Sequence, residues 1–322
     1  MKAIRIEQHG EADVLKLVEG IDEPAPKEGQ AIVRIRAAGV NFVDIYQRRG
    51  FYPTPLPYIP GLEAAGTVEA LGKGVEGISA SDRVAYTGHL GSYSEYTAID
   101  ADHLIKLPEG LSFEEGAAVP LQGMTAHYLI HEFRRPGTGD TVLIHAAAGG
   151  VGLLLVQWAK RLGATVIGTV STDEKARAAK QAGADHVILY TKEDFVEATK
   201  RLTGGQGADL VLDGVGKSTL PGSLEASAVR GQIVIFGSAS GAADPVSPRL
   251  LMTKSVRLAG GSLGNFTATR AELLERSGAV LEGIREGWLK LRIDRVMQLK
   301  DAAEAHRSLE ERRTIGKIVL KT

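Results

Sequence analysis

The segment TVLIHAAAGGVGLLLVQWAKRLG, starting at Thr141, constrains the fold more than any other stretch of the chain. A short apolar run, TVLIH, reads as a buried strand, and LLLVQWAKRLG reads as a helix with one apolar face. Between them lies AAAGGVG, a turn without a large side chain. A turn of this kind lets the first backbone N–H groups of the helix, and its positive end, meet a pyrophosphate. The small residues Ala147, Gly149 and Gly152 follow a variant of the dinucleotide fingerprint; Gly150 gives further room and Val151 opens the helix. Glycine can be demanded by a tight turn for geometric reasons alone. The rest of the chain has to decide between the two readings.

It does so by its rhythm. After TVLIH come ATVIGTV (Ala164), HVIL (His186), DLVLD (Asp209), QIVIF (Gln232) and SVRLAGG (Ser255), with the helical stretches DEKARAAKQAG and KEDFVEATKRL among them. Alternation of apolar strands and helices predicts a doubly wound parallel sheet of six strands, the Rossmann arrangement, over residues 123–265. Residues 1–122 instead favour short strands between Gly and Pro turns, as in AIVRIR at Ala31, GTVEAL, DRVAYT and SYSEYTAI. The tail, 266–322, holds a helix rich in Glu and Arg, a short strand, a second helix and IGKIVLKT. The last reads as a strand without a partner in the α/β block, so it is assigned back to the N-terminal sheet. The fold class is α/β, with a discontinuous β-rich domain (1–122 and 266–322) interrupted by the dinucleotide-binding domain.

Composition narrows the function. Lys plus Arg number 38 against 39 for Asp plus Glu, and the two signs are interspersed, which argues against nucleic acid or a membrane surface as partner. The N-terminus MKAIRIEQHG is charged and lacks an apolar signal core, so a cytoplasmic protein is expected. With no cysteine, thiolate chemistry, disulfides and cysteine-ligated zinc are excluded. His127 and His131, four apart on a helix, invite a metal, but no third ligand accompanies them and they read as structural.

The second strand tells which dinucleotide. In NAD sites an acidic residue at its end accepts from the ribose 2′-hydroxyl. Here TVIGTVST places Ser171 and Thr172 there, with Lys175 one turn into the next helix, a set that favours the 2′-phosphate of NADPH.

These motifs together with GVNFVDIYQRRGFYP (from Gly39), PGLEAAGTV (Pro60), LQGMTAHYL (Leu121) and RRTIGKIVL resemble the zinc-independent quinone oxidoreductase branch of the medium-chain dehydrogenases and reductases, to which zeta-crystallin belongs. The resemblance runs the length of the chain. It implies that the β-rich domain is a GroES-like catalytic domain, that cofactor binds between the domains, and that the last strand of the dinucleotide domain forms a homodimer edge. Where zinc-dependent relatives carry a Cys and a His, this chain has Asn41 and Leu62. The family's usual Gly-Asp-Arg-Val turn reads Ser81-Asp82-Arg83-Val84, so a glycine conformation is not expected to be required there.

What the resemblance implies chemically is hydride transfer from NADPH to a quinone, with conjugated enones or enals as the alternative. Asn41, Tyr46 and Tyr52 match residues lining the nicotinamide and substrate cleft, and are the candidates for polarising the substrate oxygen. Thr125 is placed near the carboxamide, Gly214, Val215, Gly216, Phe236, Gly237, Ser238 and Leu263 along the nicotinamide, and Tyr190 and Arg312 near the adenosine phosphate. Independently, DGVGKS and FGSASG are glycine turns at carboxyl ends of parallel strands, where ligands sit in such sheets. A non-catalytic crystallin-like or RNA-associated role is the rival class, and the missing basic aromatic stripe argues against RNA.

Overall fold

The computed structural model describes all residues from Met1 to Thr322. The chain forms two compact units: Met1–Leu121 with Thr267–Gly278 and Leu291–Thr322, and Gln122–Phe266 with Ala279–Lys290. The helix Arg270–Arg285 is divided between them, whereas the sequence pattern assigns all of 266–322 to the β-rich domain. Trp288 explains the difference. Its ring meets Trp158 edge-on at 5.2 Å and lies under Arg161 at 5.2 Å, tying this segment to the helix Gly150–Arg161.

The β-rich unit is organised by one strand of 11 residues, Gln30–Val40. Its middle alternates, with Val33 and Ile35 buried and Arg34 and Arg36 exposed, as a half-buried strand requires. Its second half, AAGV, is covered on both faces and has no charged residue. The strand pairs along one side with Glu63–Leu71, and on the other with Tyr96–Asp100 and then with the C-terminal strand Lys317–Lys321, all antiparallel. The closing strand therefore joins the N-terminal sheet, as its lack of an α/β partner predicts. Ile35, Val68, Tyr86, Tyr93, Leu104, Ile318 and Leu320 fill the core beneath.

At Ser81 the structure corrects an expectation. Its φ of 68° is left-handed, so the turn keeps the conformation natural to glycine although serine stands there. Its N–H donates to Val68 O at 2.8 Å, and Asp82 N–H to Ser79 O at 3.1 Å, closing the turn in that conformation.

The second unit is a six-stranded parallel sheet, in spatial order His186–Leu189, Thr165–Val170, Thr141–Ile144, Ala208–Asp213, Ser227–Ile235 and Arg257–Gly260. Strand order reverses between Thr141–Ile144 and Ala208–Asp213. At such a switch point the two adjoining loops diverge and leave a crevice at the carboxyl edge.

Candidate functional site

The turn after the first strand of this sheet lies at that reversal. Ala147 is fully buried, and Gly149 is the N-cap of the helix Gly150–Arg161. A Cβ on Gly152 would fall 2.3 Å from Ala146 O, so only glycine lets the helix sit so close to the strand end. One on Gly150 would strike the Gln122 amide at 2.0 Å. The N–H groups of the first helical turn have no intrahelical acceptor and remain available to an anion.

Across the switch point, Asp213 ends the fourth strand. Its Oδ1 accepts from Val215 N–H at 2.9 Å, Gly216 N–H at 3.0 Å and the Thr219 hydroxyl at 2.8 Å, folding the 214–216 loop around one carboxylate oxygen. The neighbouring loop rests on it: Ser240 donates to Val215 O by its N–H (2.9 Å) and its hydroxyl (2.8 Å). The ring of Phe236 packs against Gly214, where a Cβ would come within 2.8 Å. Gly237 and Ser238 continue that loop, and Leu263 opens the short helix Leu263–Phe266 after the sixth strand.

On the other side, Thr172 caps the helix Asp173–Gln181, its hydroxyl accepting from Lys175 N–H at 3.2 Å. Thr191 donates to Ser171 O at 3.0 Å and Tyr190 N–H to Val170 O at 3.2 Å, which ties the ends of the second and third strands together. Asp173 is paired with Lys192 at 3.0 Å. Ser171, Lys175, Tyr190, the glycine turn and the two loops thus share the carboxyl edge of one sheet. Thr125 is buried within the helix Pro120–His131 of the same unit. His127 and His131 on that helix lie edge-on to Trp158, at 5.4 and 6.0 Å.

The remaining candidates belong to the β-rich unit. Asn41 caps the helix Phe42–Arg48, and its amide is fully engaged. Its Nδ2 donates to Gly39 O (3.2 Å) and Glu63 Oε2 (2.9 Å), and its Oδ1 accepts from Lys317 Nζ at 2.7 Å. Lys317 also donates to Glu63 Oε2, and Glu63 Oε1 accepts from Leu121 N–H at 2.7 Å. Both charged side chains are buried. Gly39 makes room for them, since a Cβ there would lie 2.5 Å from Glu63 Oε2 and 2.7 Å from Lys317 Cε.

One helical turn further, a second buried network begins. Asp44 Oδ2 accepts from Asn41 N–H and from the Tyr93 hydroxyl, both at 2.9 Å, and Tyr93 touches His306 Nε2 at 3.1 Å. Arg48 lies 3.3 Å from His306 Nδ1 and reaches Glu310 with two bonds, 2.7 and 3.1 Å. Burial pushes the Asp44 carboxyl up to about 7, and burial, aided by Arg48, pushes His306 down to about 3. Tyr46 and Tyr52 meet edge-on at 5.5 Å, with Tyr52 half exposed. Arg312 is exposed and left-handed at φ 57°.

Residues 27–109 match the alcohol dehydrogenase GroES-like domain and residues 150–278 the zinc-binding dehydrogenase family. The chain is 43% identical over 325 residues to quinone oxidoreductase 1 of Escherichia coli, covering 99% of each. It belongs to the quinone oxidoreductase family. The solved structure of the Escherichia coli quinone oxidoreductase complexed with NADPH superimposes with a TM-score of 0.97 at 42% identity, covering 100% of both chains. A 2-haloacrylate reductase from a Burkholderia species is 41% identical over 314 residues, covering 94% of this chain and 93% of its own. No helix is long and apolar enough to cross a membrane.

Several members of these buried networks carry little signal in the sequence. Glu63 lies within PGLEAAGTV and Lys317 within IGKIVL, and no local pattern pairs them across 254 positions. Asp213 does carry a local signal: Asp ahead of Gly-Val-Gly is able to fold its own turn.

Proposed function

We propose that the protein is an NADPH-dependent quinone reductase that works without a metal ion. The observation that carries the cofactor assignment is the carboxyl edge of the six-stranded sheet. There a glycine-lined helix N-terminus and the loop around Asp213 flank the switch point, and Ser171 and Thr172, neither of them acidic, directly follow the second strand. Gly149, Gly150, Val151 and Gly152 would hold the pyrophosphate. Ser171, Lys175, Tyr190 and Arg312 would hold the adenosine phosphate. The loops at 214–216 and 236–238, with Thr125 and Leu263, would line the nicotinamide. The bound cofactor supplies a hydride from its nicotinamide.

The chain's own task is to orient the quinone and stabilise the oxyanion it becomes. Asn41 has both amide hydrogens engaged within its own unit, which makes it a positioning group and leaves Tyr46 and Tyr52 as the hydroxyl donors for the substrate oxygen. Ligand chemistry supports the metal-free reading: Asn41 and Leu62 stand where zinc-dependent relatives carry Cys and His, and the amide of Asn41 already binds the ammonium of Lys317. A quinone suits such a site because reduction delocalises the new charge.

The similarity to a 2-haloacrylate reductase favours a second reading, reduction of a conjugated double bond. Initial rates of NADPH oxidation with a simple quinone, a 2-alkenal and a 2-haloacrylate separate the two. Quinone turnover at least about tenfold above the others supports the first reading, and the reverse order replaces it.

A homodimer is proposed through the strand Arg257–Gly260, which pairs on one side only, beside the exposed side chains of Val229, Leu250 and Met252. Met252→Glu should then yield monomers in sedimentation velocity, and an unchanged sedimentation coefficient would contradict that interface. The cytoplasm, where NADPH is kept reduced, is the proposed location, and cell fractionation tests it.

A further inference from the structure

Beneath the nucleotide turn, four side chains form a hydrogen-bonded file that hydride transfer itself does not use. Thr169 Oγ1 lies 2.9 Å from His145 Nδ1, His145 Nε2 lies 3.0 Å from Ser223 Oγ, and Ser223 donates to Asp213 Oδ2 at 2.9 Å. All four are buried, among Leu143, Ile167, Val211, Leu220 and Ile233. The edge of the Phe195 ring, 4.9 Å away, packs against the imidazole.

Counting protons fixes the direction of every bond. A carboxylate only accepts, so Ser223 gives its hydrogen to Asp213 and must itself accept from His145 Nε2–H. Burial lowers the His145 pKa and favours the neutral ring, which has one N–H; Nδ1 is then the acceptor and Thr169 the donor. The file therefore points one way. It runs from the strand Thr165–Val170 to the strand Ala208–Asp213, at whose end the other oxygen of Asp213 gathers the loop N–H groups.

Keeping four polar groups in an apolar core is tolerable only when each is satisfied. At its Asp213 end the file reaches the 214–216 loop through the Val215 and Gly216 N–H groups. We propose that the Thr169–His145–Ser223–Asp213 file is a positioning device for the nicotinamide half of NADPH, holding Asp213 in the one orientation that shapes the Gly214–Gly216 loop. The residues act through that loop and touch no reacting atom, and the inference rests on the NADPH reading given above.

The file can be reversed, which makes it testable. In Asp213→Asn the amide oxygen can keep the loop N–H groups, so the amide nitrogen must face Ser223. Ser223 then turns its hydrogen toward His145 Nε2, His145 has to carry its proton on Nδ1, and Thr169 accepts. Nitrogen-15 NMR of histidine-labelled protein, with the His145 signal assigned by its loss in His145→Gln, should show the Nε2–H tautomer in the wild type and the Nδ1–H tautomer in Asp213→Asn.

The functional arm uses Ser223→Ala, which cuts the file but leaves all three bonds to Asp213 Oδ1 in place. It should raise the KM for NADPH about tenfold, a loss typical of one buried hydrogen-bonded link, and lower kcat far less. The affinity for 2′,5′-ADP, which lacks the nicotinamide half, should persist. An Nδ1–H tautomer in the wild type overturns the proposal. So does a wild-type KM in Ser223→Ala, or an equal loss of affinity for NADPH and 2′,5′-ADP. A wild-type protein that binds neither nucleotide overturns the NADPH reading instead, and the tautomer measurement tells the two failures apart.

Discussion

The two units build their candidate sites by opposite means. In the β-rich unit, side chains are fixed by buried charge: Lys317 against Glu63, and Arg48 against Glu310, with Asn41 and His306 held by the same groups. In the α/β unit the site is made of backbone, glycine and neutral side chains around one carboxylate. Buried charge fails badly when one partner is lost, because the other remains uncompensated. A backbone site fails by obstruction, with the rest of the unit little affected.

The largest expected effect is in the first unit. Lys317→Met should cost about 3–5 kcal/mol in urea unfolding, because it strands the Glu63 carboxylate, and Glu63→Gln in the same chain should restore much of that. A single-variant cost near zero would break the contrast. In the second unit, Gly152→Val should cost about 1–3 kcal/mol, with its main effect on the nucleotide: NADPH binding, measured by fluorescence titration, should weaken by at least about tenfold. Equal affinity in the variant would mean that the turn does not face the pyrophosphate.

A third test uses pH. Asp44, raised by burial to about 7, contributes stability that is complete below its unfolded value near 4 and is lost as pH rises toward 7. His306, lowered to about 3, contributes stability that is present above about 6.5 and lost as pH falls toward 3. Between about pH 4 and 6.5 the two slopes oppose each other. Asp44→Asn removes the first, so relative to wild type its stability should climb more steeply with pH across that window. Parallel urea-midpoint curves would refute the assignment. The smallest effect is at Ser81, where glycine relieves a left-handed backbone; Ser81→Gly should gain about 1 kcal/mol, seen as a raised thermal midpoint.

What could be read from the sequence follows the same division. The six strands and the glycine turn were legible because their signals are local: period, length and the small residues of AAAGGVG. The return of IGKIVL to the N-terminal sheet was legible by exclusion, as a strand with no partner nearby. The ion pair of Glu63 and Lys317 was not, because burial and partner come from a sheet register, Val319 beside Gly39, that no local pattern encodes. Ser81 misled for a related reason: the residue type suggested an ordinary turn, and the backbone around Val68 imposed a left-handed one. The dual use of Asp213, one oxygen for the loop and the other for the core, also needed coordinates.

The most direct test of NADPH-dependent, metal-free quinone reduction is the steady-state rate of NADPH oxidation by a simple quinone, measured on protein dialysed exhaustively against a strong chelator, with NADH in parallel. Undiminished turnover after chelation, with kcat/KM for NADPH at least about tenfold above that for NADH, is the expected result. Activity that disappears with the chelator and returns with zinc, or a preference for NADH, would contradict it.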